Sequence, residues 1–225
     1  MHKQGRYHHG HLRQALLDAG LQLATQRGIN GFTLREVARQ AGVSPAAPYH
    51  HFPHKAALVE ALAVESFEAL ASALRGAAMT ASGTAIEKLQ DIGVAYVRFA
   101  VEHAGAFHFI FRPELYASSL FESQEGALGP SPIDQASHDA RQVLLDAIVA
   151  CQQEGWIAPG DPAPLALTAW CTVHGLATIL LHGSLSRRMP ELRAEEHAGQ
   201  LAEIVTRTLI GGLLVREGMS ETRVQ

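Results

Sequence analysis

Residues 33 to 55 read TLREVARQAGVSPAAPYHHFPHK, and the order of caps, apolar positions and turn residues in this stretch decides the fold. Thr33 and Glu36 form a T-x-x-E capping box, in which the hydroxyl takes the free amide three residues on and the carboxylate returns to the cap amide. A helix therefore begins here. Leu34, Val37, Ala38 and Ala41 recur on one helical face, with Arg35, Glu36, Arg39 and Gln40 on the other. Gly42 ends that helix as the residue that best tolerates a left-handed backbone. Val43 is the expected buried anchor after the turn, and Ser44 with Pro45 supplies an N-cap and first helical position for a second helix. Pro48 at its fourth position removes an amide, so this helix is expected to be two turns at most, with a possible 3₁₀ start.

The outward residues of the second helix are Pro45, Ala46, Ala47, His50 and His51. They are small at the N-terminal end, where a recognition helix brings its backbone close to base edges in a major groove. Tyr49, His51 and Lys55 offer a hydroxyl, an imidazole and an ammonium to phosphates, contacts that set register and salt dependence rather than sequence choice. With Thr33, Arg35 and Ser44 these are the candidate DNA-binding residues. A generic two-helix hairpin has no need for cap, turn glycine, second cap and basic flank to coincide.

The segment resembles the N-terminal domain of the TetR family of bacterial transcriptional regulators, through Thr33, Ala38, Ala41, Gly42, Val43, Ser44, Tyr49, His51, Phe52 and Lys55. It departs at Ala47 and Pro48, where many members carry Gly and Leu. The resemblance extends more weakly over the rest of the chain, where Trp170, His174 and Gly175 look like the W-x-x-x-H-G signature of one C-terminal subgroup. It implies an all-α protein of nine or so helices whose last two pair with their copies in a homodimer. It also implies repression at a palindromic operator, released by a small molecule bound in the second domain, with the fourth helix as the pendulum between domains.

Charge is divided unevenly. Residues 1–55 hold seven Lys or Arg against Asp18 and Glu36, while the remainder holds eleven against twenty acids, so a net charge of −4 conceals a basic head. Seven of the thirteen histidines also lie in the head. The run YHHGHLR at 7–13 suits solvated histidines and a phosphate contact better than a metal site, although a metal-sensing or effector-independent regulator is the alternative reading. Lys3 and Arg6 precede any ordered element and could serve as a minor-groove arm.

Cys151 and Cys171 are the two cysteines, without C-x-x-C spacing, and are expected as buried thiols in a reducing cytoplasm. No signal segment opens the sequence. Residues 166–183, ALTAWCTVHGLATILLHG, lack formal charges and have the length of a membrane span, but their histidines, glycines and threonines favour a helix buried in a protein interface. The chain shows no G-x-S-x-G, Walker loop, G-x-G-x-x-G or H-E-x-x-H, so no enzyme, cofactor or metal centre is expected.

Helical periodicity continues to the end with no alternating strand pattern, which makes the class all-α. Helices are expected over 9–27, from Lys55 to about 75, from Ile86 to near His103, from Ser131 and Pro132 to about 154, from Asp161 and Pro162 to His182, and over about 193–217. Gly105 is expected to break the chain before the aromatic run AFHFIFRPELY at 106–116, and Ala77–Gly83 to form a boundary. The domains are then a helix-turn-helix unit over 9–70 and a regulatory unit over 84–217. Tyr96, Phe99, Phe107, Phe111, Trp156, Trp170 and His174, aromatic and nearly free of charge, are the candidate effector-binding residues, suited to an apolar or aromatic ligand unless they only fill the core.

Overall fold

A computed structural model describes residues 9–80, 83–111, 130–183 and 194–214. Its helices are α1 (His9–Arg27), α2 (Leu34–Gln40), α3 (Lys55–Thr80), α4 (Ala85–Glu102), α5 (Ala104–Ile110), α6 (Pro132–Gln153), α7 (Pro162–Leu181) and α8 (Ala194–Leu213), with 3₁₀ turns at Ile29–Gly31 and Ala47–His50. Among the described residues the only β pairing is an isolated bridge between Ile157 and Leu214, so the fold is all-α as the periodicity implies.

Local chemistry accounts for most helix starts. Asp161 accepts the Ala163 amide at 3.0 Å ahead of Pro162, which opens α7. The Ser131 hydroxyl accepts from the Asp134 amide at 3.1 Å and opens α6. Thr84 and Glu87 form a capping box at the start of α4. At α3 the cap is His54, whose Nδ1 accepts the Ala57 amide at 3.1 Å.

Three expectations are corrected, whereas the second helix of the helix-turn-helix stays within the two turns expected of it. It is a single 3₁₀ turn, because Pro48 has no amide and the chain settles into shorter bonds: Ala47 N–H to the Ser44 carbonyl at 3.0 Å and Tyr49 N–H to the Ala46 carbonyl at 3.2 Å. α3 runs through Ala77 to Thr80, since Ala and Met favour a helix and the Thr80 hydroxyl bonds back to the Gly76 carbonyl at 2.9 Å. Gly105 lies inside α5, and the interruption falls at His103, whose backbone leaves the helical region at φ −122°, ψ 45°. Cys151 is buried but Cys171 is exposed on the outer face of α7.

By internal packing the chain forms two compact units, Met1–Phe67 with Gly105–Ala136, and Glu68–Ala104 with Ser137–Gln225. In the first, Leu16, Leu17, Phe32, Val37, Phe52 and Leu58 are buried. Gly20 of α1 lets α3 approach, because a Cβ there would meet Leu58 Cδ2 at 3.2 Å. A Cβ at Gly105 would stand 2.8 Å from the Thr25 hydroxyl oxygen, which explains a glycine within α5. In the second unit α4 packs against both α7 and α8. Gly93 allows the α8 contact, since a Cβ there would lie 2.7 Å from Thr206 Cγ2. Leu89, Ile148, Cys151 and Ile157 form a buried cluster beside it.

Candidate nucleic-acid interface and aromatic cluster

The capping box predicted at Thr33 is complete. Its amide donates to Glu36 Oε2 at 2.9 Å and its hydroxyl oxygen accepts the Glu36 amide at 3.3 Å. Those bonds to Thr33 hold the Glu36 carboxyl below its ordinary range, helped by Arg27 and Arg39, whose guanidinium nitrogens lie 3.2 and 3.7 Å away. α2 then ends in a Schellman motif: Gly42 at φ 70° donates to the Arg39 carbonyl at 3.2 Å and Val43 to the Ala38 carbonyl at 2.9 Å. The turn thereby redirects the chain without leaving those amides unpaired.

Beyond the turn, Ser44, Pro45, Ala46, Tyr49 and His50 are exposed, while Ala47 and His51 are half-buried. Arg35 is exposed on α2. The buried anchor of this segment is Pro48, whereas Val43 is half-buried. The Pro48 carbonyl accepts the amides of His51 and Phe52 at 2.9 and 2.8 Å, so the ring that prevents an α-helix also fixes the turn to the core. The periodicity gave no sign of this, because a buried proline breaks the helical pattern.

Lys55 is positioned by an aromatic ring. Its ammonium sits over Phe32, 4.6 Å from the ring centre, and burial pushes its pKa down while the Glu36 carboxylate opposes that shift. The Arg13 guanidinium lies 5.8 Å over the Phe52 ring and 2.6 Å from Glu65. Small exposed residues, a half-exposed tyrosine and cations held by aromatic rings make a surface able to approach a polyanion closely without large side chains in the way.

In the second unit the structure joins three of the seven aromatic candidates. Trp170 donates its indole N–H to the Tyr96 hydroxyl oxygen at 3.1 Å, and that hydroxyl lies 2.9 Å from Nδ1 of His174. The Tyr96 oxygen thus joins the indole and the imidazole, with the direction of its bond to Nδ1 set by the histidine tautomer. Burial raises the Tyr96 pKa and lowers that of His174. Near neutral pH the cluster is an uncharged hydrogen-bonded relay.

The other four lie in separate contacts. Phe99 packs on His103 with ring centres 5.0 Å apart. Phe107 packs on Phe111 at 4.8 Å within the first unit, where Phe111 also meets Phe67 edge-on at 6.4 Å. Trp156 donates to Glu154 at 3.0 Å in the turn after α6. Glu154, which the sequence did not single out, also accepts the Ala85 amide at 2.9 Å and so ties that turn to the start of α4.

Comparison with known proteins places these features in a family. Residues 16–62 match bacterial regulatory proteins of the tetR family, and residues 89–208 match the tetracyclin repressor-like C-terminal domain. The tetracycline repressor protein class D of Escherichia coli is 42% identical over 53 residues, which span 24% of each chain. The regulator RutR of Escherichia coli O157:H7 is 26% identical over 207 residues, 91% of each chain. Among solved structures, a protein of unknown function from Rhodococcus sp. RHA1 superposes with a TM-score of 0.73 at 31% identity, covering 94% of this chain and all of that one.

Proposed function

Because the chain belongs to the TetR family of bacterial regulators, we propose that it is a DNA-binding transcriptional repressor of the cytoplasm, bound as a homodimer to a palindromic operator and released by an apolar or aromatic small molecule. The observation that carries this reading is the Gly42 turn at φ 70°, followed by an exposed run of small residues from Ser44 to Ala46. Arg35, Ala46, Ala47 and His50 would meet bases, and Thr33, Tyr49, His51 and Lys55 the phosphates around them.

Dimerisation accounts for α7, which is long and apolar enough to cross a membrane and yet mostly unburied in the single chain. Leu167 is 58% exposed, and on α8 Ile204 is 59% exposed. A second copy covering these two helices would place two heads on one duplex with twofold symmetry, matching half-sites a helical turn or a multiple apart. The domains are 9–70 for DNA and 84–217 for regulation. Effector binding would centre on Tyr96, Trp170 and His174, whose neutrality suits an uncharged ligand, and release follows only if the ligand prefers the form that cannot hold DNA.

Selection of binding sites from random duplexes, followed by titrations at several salt concentrations, tests this reading. Tyr49→Phe and Lys55→Ala should weaken binding to all duplexes alike, with the Lys55 change lowering the salt slope by about 1. Changes at Ala46 or Ala47 should alter the preferred sequence. Failure to retain any duplex at low ionic strength overturns the proposal. DNA binding should withstand a chelator; of the histidine run that a metal sensor would use, His8 lies outside the described residues and His9 and His11 lie at the start of α1.

A further inference from the structure

Glu36 is not among the residues assigned to DNA, yet it stands in the middle of them. Its carboxylate gathers groups from all three helices of the head. Oε2 takes the Thr33 amide at 2.9 Å and the Thr33 hydroxyl at 3.0 Å. Oε1 faces Arg27 in the last turn of α1 at 3.2 Å and Arg39 in the last turn of α2 at 3.7 Å. Lys55 opens α3, and its ammonium, held over the Phe32 ring, also feels the Glu36 carboxylate. Two guanidinium groups, an ammonium and a hydroxyl around one anion are the partners that a nucleic-acid phosphate takes.

Local structure does not account for the charge. A glutamine at this position also completes a capping box. The side chains of Arg27 and Arg39 are 48% and 76% exposed, and ion pairs that open to water add little to stability. Glu36 is also one of only two acids in residues 1–55; the other, Asp18, accepts from Gln14 at 3.2 Å within α1. Arg35, one residue away on α2, is exposed and forms no ion pair among the described residues. The carboxylate is therefore an exception in a basic surface, and it is aimed at the cations rather than at solvent.

We propose that Glu36 is a brake on DNA binding: in the free protein its carboxylate holds Arg27, Arg39, Lys55 and the Thr33 hydroxyl, and a duplex gains these donors only by displacing it. The proposal rests on the regulator reading and adds to it a residue that sets how tightly the head holds any duplex. The exchange is electrostatic, so it weakens binding to all sequences alike and removes about one phosphate contact per head from the salt dependence. Non-operator DNA is held almost wholly by attraction to its phosphates, so the brake acts most where the head has nothing else to recognise.

Anisotropy titrations of the full chain test this, with one duplex selected for tight binding and one of unrelated sequence, each at several salt concentrations. Glu36→Gln keeps the cap and removes the charge. It should bind both duplexes about five- to tenfold more tightly per head at about 0.1 M salt, with a salt slope steeper by about 1 per head. Arg39→Ala should weaken binding more in the Glu36→Gln background than in the parent, whereas Arg35→Ala, which no carboxylate holds, should weaken both equally. Glu36→Ala also loses half of the capping box, so it should unfold at lower urea than the parent and still bind DNA more tightly, an opposition that a purely structural role does not produce. Unchanged or weaker binding by both Glu36 variants, or equal effects of Arg39→Ala in the two backgrounds, overturns the proposal and leaves the regulator reading standing. A parent protein that retains no duplex overturns both.

Discussion

In the helix-turn-helix the defining bonds are short in sequence: Thr33 with Glu36, Gly42 with Arg39, Val43 with Ala38 and Ala47 with Ser44. In the Tyr96 cluster the bonded side chains are 74 and 78 residues apart. The first arrangement forms as soon as its own segment folds. The second exists only when α4 and α7 are already packed, so it reports on that packing and responds when packing changes. A DNA-reading surface gains from the first property, since its shape must stay fixed while the rest of the protein adjusts. A sensing site gains from the second.

The largest test of this contrast is Leu58→Ala. The side chain is fully buried between α1 and α3, and its loss should cost about 2–5 kcal/mol in urea unfolding, showing that local bonds alone do not hold the head. Next comes Gly42→Val, which places a β-branched residue at φ 70° and should cost about 1–2 kcal/mol. Gly42→Asn should cost less, because asparagine tolerates that conformation. Equal costs for the two would mean that the turn does not depend on its backbone angle.

Thr33→Ala removes the cap of α2 and should cost about 1 kcal/mol by denaturation, with Thr33→Ser close to the parent. The smallest effect belongs to the long-range cluster. Burial keeps His174 below its usual 6.5, so as pH falls the unfolded chain takes up this proton first. The stability gained from a neutral ring is therefore complete above pH 6.5 and is lost as pH drops through the folded-state value. Thermal melts from about pH 7.5 to about pH 5 should show a shallower decline in His174→Gln than in the parent. Parallel profiles would remove His174 from any role in acid sensitivity.

Legibility in the sequence follows the same division. The starts of α2, α6 and α7 are encoded by a cap and its partner within three residues, and the structure has them where Thr33, Ser131 and Asp161 stand. Gly42 is readable because one backbone conformation demands it. Pro48 was visible as an irregularity but not as a buried anchor, since its burial depends on the fold around the turn. Cys171 and Gly105 misled for a related reason: a small apolar residue on a helix is compatible with an outer face or an inner one, and only the neighbouring helices decide. The aromatic candidates were recognisable by type, yet the bond from Trp170 to Tyr96 depends on α4 and α7 meeting in one register, which no local pattern specifies.

The two tryptophans of the chain hold different partners, Glu154 for Trp156 and Tyr96 for Trp170. Replacing one at a time with phenylalanine turns the protein into a pair of built-in optical gauges. The emission of one would follow how firmly the start of α4 is clasped, and that of the other whether the relay to His174 is intact. A ligand acting at either place would thus announce its address by colour before any effect on DNA is measured.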